Sequence, residues 1–158
     1  MFIMKGNEKI IDLLNSILSS ELTAINQYVV HAEMCANWGY ESLHKIIEKH
    51  AIDEMKHAEK IISRILFLEG QPIVNTLNKI KIGLTVENQL KNDWSAEDYA
   101  IKEYNEGIFQ ATEIKDNGTR ELMKENLLDE EGHIDWIEAQ LDQIRQVGIQ
   151  NYLTEQIV

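Results

Sequence analysis

The residues best equipped for chemistry in this chain are two Glu-x-x-His pairs, Glu54 with His57 and Glu130 with His133. Residues three apart on a helix share one face a turn apart, so each pair aims a carboxylate and an imidazole at one point. Two more glutamates join the pattern. Glu21 lies 33 positions before Glu54, and Glu97 lies 33 before Glu130. An offset of 76 positions maps Glu21 onto Glu97, Glu54 onto Glu130, His57 onto His133 and Tyr28 onto Tyr104. The chain reads as two helical hairpins with the same polar device in each. An ionised carboxylate in an apolar core is costly unless a counter-charge or a metal meets it. No Lys or Arg shares these stripes at the same levels, and two divalent cations balance four carboxylates. Oxygen ligands with two imidazoles suit iron or manganese better than a thiolate-preferring metal. One Glu from each of two helices plus Glu-x-x-His from each of the other two is the pattern of a carboxylate-bridged dinuclear centre inside a four-helix bundle.

Four helices must position these groups. The first opens at Asn7, a good N-cap, and carries the stripe Ile10, Leu14, Ile17, Glu21, Ile25, Tyr28, Ala32. Gly39 ends it. The second starts near Glu41 or Ser42 and runs through Leu43, Ile47, His50, Glu54, His57, Ile61, Ile65, Leu68 to a stop at Gly70-Gln71-Pro72. The third covers about 85–116 with Leu90, Trp94, Glu97, Ile101, Tyr104, Ile108, Ala111. Asp116-Asn117-Gly118 reads as a turn. The fourth runs from about Thr119 to Val147 with Met123, Leu127, Glu130, His133 or Ile134, Ile137, Leu141, Ile144. Asn151 to Val158 has room for a helical turn or two. Residues 70–84 lack a regular pattern, and a connection of that length suits a crossover along the bundle that leaves helices two and three parallel. The expectation is one all-α domain over residues 1–158.

Composition narrows the function. The chain has 158 residues, 44% hydrophobic and 27% charged, with one proline and a net charge of −12. That balance argues against nucleic acid as a partner and is compatible with binding cations. The single Cys35 excludes an internal disulfide framework and a multi-cysteine zinc or iron–sulfur site. No apolar run approaches the roughly 20 residues that span a bilayer. Phe2-Ile3-Met4 is too short for a secretion signal, so a cytoplasmic location is expected.

Longer motifs carry a resemblance. Glu21-Leu22-Thr23-Ala24-Ile25-Asn26-Gln27-Tyr28, Ile52-Asp53-Glu54-Met55-Lys56-His57-Ala58, Arg64-Ile65-Leu66-Phe67-Leu68-Glu69-Gly70, Asp129-Glu130-Glu131-Gly132-His133-Ile134-Asp135-Trp136 and Gly148-Ile149-Gln150-Asn151-Tyr152-Leu153 resemble bacterioferritin over nearly the whole chain. Met4-Lys5-Gly6 resembles the usual start of that family, which makes Met1-Phe2-Ile3 an extension or the product of an upstream start. The resemblance implies a ferritin-like four-helix bundle with a long crossover between helices two and three and a short fifth helix. It implies a ferroxidase centre with Glu21, Glu54, His57, Glu97, Glu130 and His133 as ligands to two non-haem iron ions per subunit, Glu54 and Glu130 bridging. Fe²⁺ is oxidised there by O₂ or H₂O₂, and ferric mineral collects inside a homo-oligomeric shell of 24 subunits built from dimers. A small iron–sulfur ferredoxin fits the family as reductant.

Other residues take their meaning from this frame. Tyr28 is seven positions from Glu21 and so returns to the same face. Its hydroxyl either bonds a ligand glutamate, donates an electron during oxygen reduction, or is satisfied within the core. Tyr104 has the same spacing to Glu97, and Trp136 is expected to pack. Met55 follows Glu54 and so points about 100° away from the metal face, onto an outer flank with Ile52, Glu59 and Ile62. The resemblance makes Met55 from two subunits the axial ligands of one b-type haem on a two-fold interface. The plain reading of Met55 is packing at a dimer contact. Some bacterioferritins place a histidine and an aspartate on the cavity side of this helix for an inner-surface iron. Here Asp53 is present but Lys49 stands at the histidine position. His50 either supports the metal ligands or faces the cavity. His31 and His44 are expected at the surface or an interface, and Cys35 as a small packed residue. A different dinuclear-carboxylate enzyme, a haem-binding electron-transfer bundle and a metal-free interaction bundle are the competing readings. One cysteine is too few for a rubrerythrin-like iron module.

Overall fold

Asn7 begins the architecture as its residue type requires. In the computed structural model, which describes residues 6–158, its side-chain oxygen accepts a hydrogen bond from Lys9 N at 2.9 Å and opens helix α1, Glu8–Asn37. Helices α2 (Glu41–Phe67), α3 (Val86–Glu113), α4 (Asn117–Val147) and the short α5 (Ile149–Thr154) follow, with no strand among the described residues. The reading of residues 1–5 lies outside the described residues. α1 packs along α2 and α3 along α4, while α1 also faces α3 and α2 faces α4. This is a ferritin-like four-helix bundle. No helix among the described residues is long and apolar enough to cross a membrane.

The α2–α3 connection is held to α1 by a ladder of polar side chains four or eight residues apart. Asn15 donates to Gln71 O at 3.1 Å and accepts from Ile73 N at 2.9 Å. Thr23 Oγ1 accepts from Asn78 N at 2.8 Å, and Gln27 Oε1 from Lys81 N at 3.0 Å. His31 Nε2 accepts from Gly83 N at 3.0 Å. An extended segment has no internal hydrogen bonds, so these side chains satisfy its backbone. The connection climbs α1 from its N-terminal half to its C-terminal half. α3 therefore starts at the end of the bundle opposite to where α2 stops, and the two run parallel. His31 is not at the surface: it is fully buried, and its Nδ1 meets Asp93 Oδ1 at 2.9 Å. Cys35 is packed as expected.

The helix ends differ in detail from the sequence reading. α2 stops at Phe67, where Glu69 takes the left-handed conformation at φ 65°, so Gly70 is not the residue that turns the chain. Gly70 serves close packing instead, since a Cβ there would lie 2.7 Å from Ile11 Cγ2. Asn117 and Gly118 belong to α4; the turn before it is Ile114 to Asp116, with Lys115 at φ 62°. Gly118 makes room for Arg64, whose Nη2 would be 2.7 Å from an added Cβ.

Two apolar clusters fill the bundle, one on each side of a polar layer. One contains Ile10, Leu14, Ile17, Ile61, Ile65 and Met123; the other contains Leu43, Ile47, Leu90, Ile137 and Ile144. All eight stripe residues of α2 are buried. α4 is rotated slightly from its expected stripe. Asn126 and Gln140 are buried while Leu127 and Leu141 are half-buried, because the two amides bond the hydroxyls of Tyr104 and Tyr152.

Asp116 joins α4 to α2. It caps Thr119 N at 3.1 Å and accepts from Arg64 Nη2 at 2.8 Å, and these bonds hold its carboxyl below the usual range against the opposing effect of partial burial. Asp116→Ala should cost about 1–2 kcal/mol, read as a lower denaturant midpoint. Because the folded-state pKa is depressed, the gap between wild type and Asp116→Asn should be full at neutral pH. It should close as pH falls through and below the ordinary carboxylate range. A gap that persists in acid would refute this account.

Candidate metal centre

The polar layer between the two clusters is formed by Glu21 on α1, Glu54 and His57 on α2, Glu97 on α3, and Glu130 and His133 on α4. All six are 5% exposed or less. The expectation that they share one level holds, within the slack that the short hairpin turns allow. Their ligand atoms fall into two groups, Glu21–Glu54–His57–Glu130 and Glu54–Glu97–Glu130–His133, with the atoms of each group within 4.8 Å of one another. Glu54 and Glu130 belong to both. The arrangement offers two adjacent cation positions with two bridging carboxylates, one terminal carboxylate each and one imidazole each.

The electrostatics fit a cation pair. No Lys or Arg pairs with the four glutamates among the described residues. His57 Nδ1 lies 2.9 Å from Glu54 Oε2 and 2.8 Å from Glu130 Oε1, and one N–H cannot serve both. Neither Glu130 oxygen, nor Glu97 Oε2, nor His133 Nδ1 has an aligned hydrogen-bond partner among the described residues. Buried polar atoms without partners are rare, and here they converge on the same two positions. Burial first, and then the charges of Glu130 and Glu21, push the Glu54 carboxyl well up. Burial and Glu130 push Glu97 up to about 8. For His57 and His133, burial lowers the pKa, but the close negative carboxylates around each ring outweigh it and raise both well above the ordinary range. The two imidazolium protons thus stand where divalent cations fit.

Four of the six residues are braced from the other hairpin. Tyr28 on α1 donates to Glu97 Oε1 on α3, and Tyr104 on α3 donates to Glu21 Oε1 on α1. The tyrosines cross, so neither bonds the glutamate on its own helix. Asn126 Nδ2 in turn donates to the Tyr104 oxygen at 3.1 Å. The far nitrogen of each histidine meets an aspartate on the opposite helix, His57 Nε2 to Asp129 Oδ2 at 2.9 Å and His133 Nε2 to Asp53 Oδ2 at 3.1 Å. Asp53 and Asp129 are 76 positions apart, like the ligands. The offset was available in the sequence to find them; their outward position on the helices hid them. A carboxylate behind a ligating histidine fixes its tautomer and leaves Nδ1 free for the cation.

Other candidates fall into place around this core. His50 is buried with its ring centroid 4.2 Å from that of His133, and Trp136 packs against it at 5.2 Å. Burial and the charge of His133 lower the His50 pKa to about 4. His44 is partly buried and its Nδ1 meets Ala32 O at 3.0 Å. Lys49 Nζ reaches Asp53 Oδ2 at 3.1 Å. Met55 is 45% exposed on the flank of α2, beside Ile52 at 42%, and takes no part in the metal layer.

Comparison with known proteins agrees with this geometry. The family model described as Ferritin-like domain matches residues 11–147. The chain is 40% identical to the bacterioferritin of Brucella melitensis over 94% of this chain and 92% of that relative. It is 40% identical to the bacterioferritin of Rhodobacter capsulatus, with the same coverage. It is 38% identical to a bacterioferritin of Mycobacterium tuberculosis over 94% of each chain. Similarity of that extent, joined to a bundle with this constellation at its centre, makes the chain a member of the bacterioferritin family of ferritin-like proteins.

Proposed function

We propose that this protein stores iron, and that it does so by oxidising Fe²⁺ at the layer of four glutamates and two histidines. The observation that carries this reading is the convergence of four buried carboxylates, without a Lys or Arg partner among the described residues, onto two overlapping groups of ligand atoms. Membership of the bacterioferritin family supports iron storage as the general role.

Fe²⁺ is the substrate. Glu21 and His57 serve one ion, Glu97 and His133 the other, and Glu54 and Glu130 bridge them. Each imidazole gives up its Nδ1 proton when a cation arrives and keeps its Nε2 proton on Asp129 or Asp53. The carboxylates exchange their mutual repulsion for the charge of the ions. Tyr28 and Tyr104 hold the terminal carboxylates Glu97 and Glu21 in register. The two ferrous ions lose one electron each, and O₂ or H₂O₂ accepts the pair. Tyr28, hydrogen-bonded to Glu97, is placed to donate a further electron. Oxidised iron is kept as ferric mineral inside a shell of 24 subunits assembled from dimers, in the cytoplasm, and a small iron–sulfur ferredoxin is the reductant for its release.

A b-type haem fits Met55 as a second cofactor. The thioether is half exposed on an outer flank with the apolar Ile52, away from the ferrous site, where a two-fold partner can supply the same residue. Bound there, the haem supplies one-electron transfer between the outside of the shell and the stored iron. Asp53 is already engaged with both His133 and Lys49, which speaks against an inner-surface iron at that position.

Three measurements test this reading. Ferrous oxidation followed by ferric absorbance should show a fast phase of two Fe²⁺ per subunit, and Glu97→Ala or Glu130→Ala should slow it by about tenfold or more. Unchanged rates would sink the ligand set. The metal-free protein should gain stability as pH falls from about 8, where Glu97 takes up its proton, toward the usual carboxylate range. The sign follows from a folded-state pKa raised above the unfolded one. Glu97→Gln should flatten that slope, and affinity for divalent ions should fall over the same interval because they compete with protons. Finally, Met55→Leu should abolish the haem band at the size of the assembled shell; a variant that retains haem refutes its role as ligand.

A further inference from the structure

The two halves of the metal layer, and the aspartates and tyrosines that brace it, match residue for residue, but the groups one step further out do not. The offset of 76 that relates the ligands maps Lys49 onto Glu125 and His50 onto Asn126. Behind His57, Asp129 accepts from the imidazole at 2.9 Å and has no ion pair with a Lys or Arg among the described residues. The residue one turn before it, Glu125, is an acid that pairs with Lys60 instead. Behind His133, the single oxygen Asp53 Oδ2 takes both the imidazole and the ammonium of Lys49, each at 3.1 Å.

We infer that Lys49 makes the two cation positions unequal, so that the Glu21–His57 position loads first and the Glu97–His133 position is the weaker one. This rests on the reading of the layer as a dinuclear metal centre. A carboxylate behind a ligating histidine strengthens it by drawing on its N–H. Asp129 is more than half exposed, so water shares its charge, but no Lys or Arg among the described residues competes with His57 for it. Asp53 divides its charge between His133 and a lysine, so His133 is the poorer donor. The lysine also adds a positive charge one residue shell from the second cation. Its ammonium is largely exposed, so water screens the effect and keeps it modest. His50 packs against His133 with ring centroids 4.2 Å apart and limits the room that ring has to turn away.

The consequence is order. A redox-inert divalent ion fills the Glu21–His57 position at low concentration, and only then the position beside Lys49. The second position is accordingly the one from which an ion leaves first.

Calorimetric titration of the metal-free, assembled protein with Zn²⁺ tests this without reference to oxidation. Glu97→Ala and Glu21→Ala each leave one position intact. The ion retained by Glu97→Ala should bind severalfold more tightly than the ion retained by Glu21→Ala. Adding Lys49→Gln should tighten binding in the Glu21→Ala background by about two- to fivefold and leave the Glu97→Ala background unchanged. Equal affinities in the two single variants, or a Lys49→Gln effect of the same size in both backgrounds, overturns the inference while the dinuclear centre stands. If wild type binds no Zn²⁺ in the layer, the inference falls together with the proposed centre. Lys49 lies at the surface, so its substitution does not endanger the fold.

Discussion

Four carboxylates at one level of a helical bundle repel one another and resist leaving water, and the rest of the structure answers that constraint. Burial alone is enough to drive Glu54 and Glu97 toward their neutral forms, and each neighbouring carboxylate adds to the effect. The apolar clusters above and below contribute roughly 2 kcal/mol per buried Leu or Ile, which offsets the strain without relieving it. The imidazolium forms of His57 and His133 relieve it in part. A pair of divalent cations would balance the four carboxylates, so the fold holds interaction energy that metal binding would release.

Precision in that layer comes from bonds that cross between hairpins. A glutamate braced by a tyrosine of its own helix would move with that helix. Here Tyr28 holds Glu97 and Tyr104 holds Glu21, so the register of α1 against α3 and the aim of both terminal carboxylates are one variable. The aspartates do the same for α2 against α4 through His57 and His133. The polar ladder from Asn15 to His31 extends the principle to the crossover, which is tied to α1 along its length. His31 also joins this ladder to Asp93, one turn before Glu97.

The buried layer of four glutamates and two histidines was legible in the chain because its residues interrupt apolar stripes at helical spacing and repeat at a fixed offset. Asn7, Glu41 and Gly148 marked helix ends through local chemistry alone. What periodicity could not show were polar residues whose reason to be buried lies on another element. His31 looks like any histidine until the crossover brings Gly83 to it. Asn126 displaced the more apolar Leu127 from the stripe because Tyr104 needed a donor. Gly118 read as a turn residue, and only the tertiary approach of Arg64 explains it within a helix. Met55 is the converse case: its exposure is local and evident, and nothing in the buried layer uses it.

The near-symmetry of the two halves also explains where the chain is free to vary. The glutamates and histidines of the buried layer, and the tyrosines and aspartates hydrogen-bonded to them, repeat at the offset of 76 in identity: Glu21, Tyr28, Asp53, Glu54 and His57 each have their counterpart. One step further out the identity stops, at Lys49 against Glu125 and His50 against Asn126. A bundle that demands equal geometry from both halves leaves the next layer as the place to set them apart. Charge placed there changes how firmly a ligand holds without moving it, since an aspartate oxygen can accept a second donor with no change in its position. Coordination geometry and coordination strength are thus governed by different residues, the first by the buried layer and the second by its exposed support.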